Sequence, residues 1–258
     1  MRVPVSWLRE YVSFDLPVDE LGELLSMTGT KLETITERGV PAGAELYRVG
    51  RVLTRDRHPD ADRLSLCSVD VGEGEPRQIV CGASNFEAGA TVAVALPGAT
   101  LPDGNVLRKA KLRGVESDGM MLSERELQLS QEHEGIMLLP DGLEPGTPLS
   151  EVLPIGDRVM EFEITSNRPD CLSVYGIARE VSAVLDTDLA AWPGQEPAAG
   201  GGDSVDDHVT ARNEATDLCP RWAGRVFTDV KVGPSPPWLK ARIAAAGMRP
   251  ISNVVDIS

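Results

Sequence analysis

Between Tyr47 and Pro140 the chain is a succession of short segments with period-two hydrophobicity, punctuated by turn residues. Leu64-Ser65-Leu66-Cys67-Ser68-Val69-Asp70-Val71 alternates apolar and polar side chains, the pattern of a strand buried on one face. Thr91-Val92-Ala93-Val94-Ala95-Leu96 does the same. Val106-Leu107-Arg108-Lys109-Ala110-Lys111-Leu112-Arg113 is a third run, with its basic residues on the wet side. Gly72-Glu73-Gly74, Gly82 and Pro102-Asp103-Gly104 supply turns between them. Several short strands at close, regular spacing predict a small barrel or sandwich.

About five strands with exposed basic residues favour an OB-type barrel, a fold whose open face often takes oligonucleotides. The whole-chain charge argues the other way: 25 Lys and Arg against 40 Asp and Glu give a net charge of −15. Phosphate binding is driven mostly by Lys and Arg, so a simple nucleic-acid binder is disfavoured. Charge is local, however, and Arg108, Lys109, Lys111 and Arg113 form the densest basic cluster of the chain. They are the candidate nucleic-acid contacts, and a solvated strand face is the alternative reading.

The flanks of the barrel depend on each other. Leu21, Leu24 and Leu25 fall at helical spacing, with Asp19 and Glu20 where the helix dipole favours acids and Gly29 as a stop. Thr30-Lys31-Leu32-Glu33-Thr34-Ile35-Thr36 then alternates as a strand. A helix between strands cannot close a core within residues 1–39, so it needs a partner. Residues 151–190 offer one: Val159 to Ile164 reads as a strand, and Ser173 is placed to cap a helix carrying Ile177, Ala178, Val181, Val184 and Leu185. The expected architecture is α+β and multidomain, with the barrel (40–150) inserted into a small α+β domain built from 1–39 plus 151–190. Residues 191–209, rich in Gly, Pro and Asp, read as a flexible linker.

A further domain is expected over 210–258. Trp222 to Phe227 is a strand candidate, Ser235 a cap with Pro236 at the first helical position, and Ile251 to Ile257 another strand. A domain of ~50 residues ending on an apolar strand is too small to be complete, so the chain is expected to be a fragment of a longer protein.

Motifs spread over the chain carry a resemblance. Val49-Gly50-Arg51-Val52, His58-Pro59-Asp60-Ala61-Asp62-Arg63-Leu64, Cys81-Gly82-Ala83-Ser84-Asn85 and Gly114-Val115-Glu116-Ser117-Asp118-Gly119-Met120-Met121-Leu122-Ser123 resemble the OB domain of several tRNA-handling proteins. The opening Val5-Ser6-Trp7-Leu8-Arg9-Glu10-Tyr11-Val12, the stretches Glu163 to Ser173 and Gly176 to Glu180, and the tail from Cys219 through Asp256 resemble bacterial phenylalanyl-tRNA synthetase β subunits. The resemblance implies an α2β2 enzyme that joins phenylalanine to tRNA(Phe) using ATP and magnesium. It places amino-acid activation in an α subunit partner. The β subunit would contribute tRNA binding, assembly and editing of mischarged tyrosine, since packing alone discriminates weakly against one added hydroxyl. Residues 210–258 would be the truncated start of an editing-type, B3/B4-like α/β domain. Most of the editing pocket and the ATP and magnesium sites would lie outside this sequence, leaving it without catalytic or metal-binding residues of its own. On this reading Arg108, Lys109, Lys111 and Arg113 become the tRNA contacts. A stand-alone OB-fold tRNA-binding factor and a barrel serving mainly in assembly are the other readings.

The remaining chemistry-bearing residues read as structural. Cys67, Cys81, Cys171 and Cys219 form no Cys-x-x-Cys pair and are expected as reduced thiols. His58-Pro59-Asp60-Ala61-Asp62 lacks a second His or Cys at ligand spacing and reads as a turn. Asn167-Arg168-Pro169-Asp170 precedes a helix and could meet an anion, but reads better as the residues that hold the turn. Ser123 lacks a nucleophile elbow. No apolar run is long enough for a membrane span and no export leader is visible, which points to the cytoplasm.

Overall fold

The computed structural model describes residues 1–40, 44–192, 194 and 203–258. In chain order these form β1 (Arg2–Pro4), α1 (Val5–Leu8), α2 (Val18–Met27), β2 (Lys31–Gly39), β3 (Tyr47–Arg57), β4 (Ser65–Asp70), β5 (Arg77–Cys81), β6 (Thr91–Ala95), β7 (Ala110–Leu112), β8 (Val115–Ser117), β9 (Met120–Met121), α3 (Leu149–Val152), β10 (Gly156–Glu163), α4 (Val174–Leu185), α5 (Pro237–Ala245) and α6 (Asn253–Ile257). The linker expected at 191–209 falls in large part outside the described residues.

Strands from the two sides of the barrel pair directly. The sheet order is β1-β10-β2, antiparallel throughout, with Val3 opposite Met160 and Thr36 opposite Val159. α2 carries Asp19 and Glu20 in its first turn and ends before Gly29, which takes φ +107°, a conformation that costs glycine little. Ser173 caps α4 as the sequence predicts, its Oγ accepting from the Gly176 amide at 2.9 Å. The apolar stripes of both helices then meet the sheet: Leu8, Leu21, Leu25, Met160, Phe162, Ile177 and Val181 form one buried cluster.

The second sheet runs β5-β4-β3-β6-β9 and curls into a nearly closed OB-like barrel. β3 is its organiser: eleven residues long, it pairs with β6 through its first half and β4 through its second, changing register between Val52 and Thr54. Its periodicity is hidden in the sequence because Tyr47, Val49, Gly50 and Val52 are all buried while the later residues are mostly exposed. Gly50 lies against the Val94 and Val69 side chains; a Cβ there would come within 2.6 Å of Val94 Cγ2. Two clusters fill the barrel, one around Tyr47, Ala93, Leu122 and Leu149, the other around Val52, Cys67, Ile79 and Val94. No described helix is long and apolar enough to cross a membrane.

Four local expectations need correction. The run 106–113 is not one strand: Val106 makes a single bridge to Thr100, Ala110–Leu112 pairs in a hairpin with β8, and Arg113 (φ +48°) and Gly114 (φ +87°) make the turn. Trp222 to Phe227 is not a strand, and Trp222 and Phe227 are exposed. Ile251 to Ile257 is mostly the helix α6, because the Ser252 side chain accepts from the Val255 amide and Asp256 accepts from the Ile251 amide at 2.8 Å. Ser235 does not cap α5, which starts one residue later with Pro237 first; its hydroxyl donates to Asp256 Oδ2 instead, and this bond lowers the Asp256 carboxyl pKa.

α5 docks onto both preceding units. Lys240 Nζ lies 2.7 Å from both Glu124 carboxylate oxygens, and Arg242 pairs with Glu10 while stacking on the Trp7 and Trp238 rings. All four cysteines are free; Cys67, Cys81 and Cys171 are buried and Cys219 is half-buried.

Burial raises the Cys67 thiol from 9.0 to about 11 and the Tyr47 phenol from 10.0 to about 12. Both are acids held neutral in the fold, so the unfolded chain loses its protons first as pH rises. Stability is expected to be intact below pH 9 and to fall progressively between about pH 9 and 12. Thermal melts across that range check this; a flat midpoint would contradict it.

Candidate nucleic-acid interface

The four predicted contacts sit together on the β7–β8 hairpin and the chain entering it. All four are exposed. Lys109 is held by Asp118 at 2.9 Å, and Asp118 also binds Arg77 at 3.0 Å. Among the described residues Arg108, Lys111 and Arg113 enter no ion pair, so their charge is directed to solvent.

The hairpin is fastened to the barrel by groups that the sequence marks for other roles. The Asp60 amide donates to His58 Nδ1 at 3.1 Å, which leaves the buried imidazole to donate from Nε2 to the Leu112 carbonyl at 3.1 Å. The His58-to-Asp62 segment is therefore a turn that carries a strut to the hairpin. Ser117 Oγ accepts from the Val80 amide at 3.1 Å and donates to the Gly119 carbonyl at 3.0 Å. Gln78 Nε2 reaches the Glu116 carbonyl at 2.7 Å.

Opposite the hairpin lies the loop 123–136, and between them runs an open groove of about 880 Å³. Val80, Cys81 and Met121 are among the residues lining it, as are Arg108 and, from the loop, Arg125 and His133. The loop is held by Asn85, whose side chain donates to the Ile136 carbonyl at 2.9 Å and accepts from its amide at 3.0 Å. Ser123 donates to Glu126 Oε2 at 2.8 Å and shares that carboxylate with its own amide at 2.6 Å, a capping-box arrangement with no role for a nucleophile. Arg125 and His133 escape the sequence analysis because an aperiodic loop carries no signal for which side chains face a groove.

The Asn167-to-Asp170 turn is structural. Arg168 forks onto Asp170 at 3.0 and 3.1 Å and reaches Glu180 at 2.7 Å, which pulls the Asp170 carboxyl below its usual range. Asp170, Cys171 and Glu180 come close enough to share a cation, but the Arg168 guanidinium is already paired with both carboxylates and its charge would repel a metal ion there. The residues present do not fit a metal.

Residues 47–148, which contain the barrel and groove, match the family described as "Putative tRNA binding domain". Residues 218–258 match the B3/4 domain. The chain is 46% identical over 259 residues to the phenylalanine–tRNA ligase beta subunit of Nitratidesulfovibrio vulgaris, covering 100% of this chain and 32% of that protein. It is 47% identical over 258 residues to the beta subunit of Anaeromyxobacter dehalogenans, covering 99% of this chain and 31% of that protein. The chain is a homologue of phenylalanine–tRNA ligase beta subunits. A third such subunit, from Clostridium acetobutylicum, is 44% identical over 270 residues, with 100% of this chain and 32% of that protein covered. This beta-subunit homologue thus spans about a third of the length of the relatives it matches. Its OB-like barrel is the part that matches the tRNA-binding family, and the segment that matches the B3/4 domain follows it.

Proposed function

We propose that the protein is the tRNA-handling portion of a cytoplasmic phenylalanine–tRNA ligase beta subunit, and that the β7–β8 hairpin with its groove is where the barrel meets tRNA. One observation carries this reading: Arg108, Lys111 and Arg113 project into solvent from a braced hairpin beside a groove in the barrel. Cations without carboxylate partners on a fixed support suit phosphate contacts, because little ordering is left to complete on binding. The organisation that fits is a small α+β domain from 1–39 and 151–190, the barrel at 40–150, a linker at 191–209 and an editing-type domain starting at 210. The α subunit of an α2β2 assembly would supply amino-acid activation, with ATP and magnesium bound outside this chain.

Replacing Arg108, Lys111 and Arg113 together by Ala is expected to weaken tRNA binding about tenfold at low salt. It should also reduce the slope of log affinity against log salt by about 2 to 3. Filter binding across a salt series reads both. Unchanged affinity and slope would leave these residues as a solvated face. Co-purification with an α subunit separates this reading from a stand-alone tRNA-binding factor, which would emerge as a lone monomer.

A further inference from the structure

A second cavity, of about 630 Å³, opens where the N-terminal sheet, the barrel and the C-terminal segment meet. Four arginines line it, and they come from all three parts: Arg2 on β1, Arg38 on β2, Arg125 in the barrel loop and Arg249 beyond α5. The rest of the lining is Gln128, Ser130, Gln131 and uncharged residues of 244–250, so no carboxylate faces the cavity. In a chain with 40 acids and 25 Lys and Arg, four cations converging on a wall without acids is a marked local inversion.

The nearby acids are committed elsewhere. Among the described residues the one ion pair made by any of the four is Arg2 with Glu161, at 3.2 Å. Glu124 is held by Lys240, and Glu132 accepts from its neighbours' amides, those of His133 and Glu134, at 3.0 Å. The Arg38 pKa is lowered, first by burial and then by the charge of Arg2. Arg2 and Arg38 thus lie close enough for each charge to act on the other, and Arg38 itself enters no ion pair among the described residues.

The backbone holds this arrangement at some cost. Gln128 sits at φ +56°, a region that non-glycine residues rarely adopt. There its carbonyl accepts from Arg38 Nη2 at 3.4 Å and its Oε1 from the Gly39 amide at 3.0 Å, fixing Arg38 at the cavity wall. Gly247 (φ +89°) lets Arg2 pass close by, since a Cβ there would lie 2.9 Å from Arg2 Nη1. Guanidinium forks match phosphate oxygens in geometry as well as charge.

We propose that this three-way junction is a phosphate-binding pocket, taking either a phosphodiester segment of bound RNA or a free phosphate-bearing anion. It shares Arg125 and Gln128 with the groove beside the hairpin but contains none of Arg108, Lys111 and Arg113, and Arg249 belongs to this pocket and not to that groove. The first probe is inorganic pyrophosphate, titrated calorimetrically into the intact protein at low salt. Saturable binding at one site is expected. Arg125 and Arg249 are exposed, so the double variant Arg125→Gln/Arg249→Gln should keep the wild-type melting temperature while losing at least tenfold in affinity. Arg38→Gln should lose as much, and Arg108→Gln/Lys111→Gln on the hairpin should lose nothing. Competition names the source. If tRNA displaces pyrophosphate from the wild type but binds the single variant Arg249→Gln more weakly, the pocket takes RNA phosphate, since Arg249 is absent from the hairpin groove. If pyrophosphate binding is indifferent to tRNA, the ligand is a free anion. Absence of saturable pyrophosphate binding, or equal affinity in Arg125→Gln/Arg249→Gln and wild type, would overturn the proposal.

Discussion

Gly39→Ala is expected to destabilise the fold by about 3 kcal/mol, from a left-handed backbone cost of ~1 to 2 kcal/mol and an overpacking cost of similar size. Gly39 ends β2 at φ +79°, and a Cβ there would fall on the Ile155 carbonyl oxygen. The surroundings cannot give way easily. The Val40 amide donates to that same oxygen at 2.5 Å, and the Gly39 amide is fixed by Gln128 Oε1 at 3.0 Å. Urea unfolding reads the effect as a lower midpoint with unchanged slope. Gly29→Ala is the internal comparison: its φ is +107°, but nothing lies within 4 Å of a built Cβ, so only the backbone cost of ~1 to 2 kcal/mol should appear. Equal losses in the two variants would mean that the junction between β2 and the barrel yields, contrary to its packing.

Gly176→Ala should cost about as much, for a different reason. Gly176 lies in the first turn of α4, where alanine is the better helix former by ~1 kcal/mol. Propensity therefore predicts stabilisation, but a Cβ at this position would collide with the Asp170 carbonyl oxygen and crowd the Cys171 backbone, whose Cα would be 3.1 Å away. Relief requires the helix start to move, which strains the Ser173 cap and the pairing of Arg168 with Asp170 and Glu180. A net loss of ~2 to 3 kcal/mol is expected once overpacking is set against propensity. Gly22→Ala in α2 provides the contrast, because its Cβ would meet the flexible end of the Leu32 side chain, which can rotate away. That variant should be near neutral in the same urea titration. Stabilisation by Gly176→Ala would show that the 169–171 turn is free to shift.

Much of this architecture is legible in the residues themselves. α2 and α4 are read from three- and four-residue apolar spacing with a cap or stop at the right place, and the structure keeps both helices. β4 and β6 are read from period-two alternation and are likewise present. β3 is not legible, because it crosses two cores and is buried on both faces in its first half, which erases the alternation. The run 251–257 is misread for the opposite reason: its apolar residues invite a strand, yet Ser252 and Asp256 close a helical turn that supplies backbone partners locally.

The chain's own residue order determines the local elements, the turns between them and the resemblance to beta subunits, because spacing, caps and motifs act over a few residues. The exposed cluster Arg108, Lys109, Lys111 and Arg113 is contiguous and so visible in the same way. Tertiary structure alone decides that Lys109 is held by Asp118 while its neighbours enter no ion pair among the described residues. It alone brings Arg2, Arg38, Arg125 and Arg249 to one cavity wall. No local rule connects residues so far apart in the chain. Their meeting depends on β1 and β2 flanking β10, on the barrel loop held by Asn85, and on α5 docked by Lys240 and Arg242.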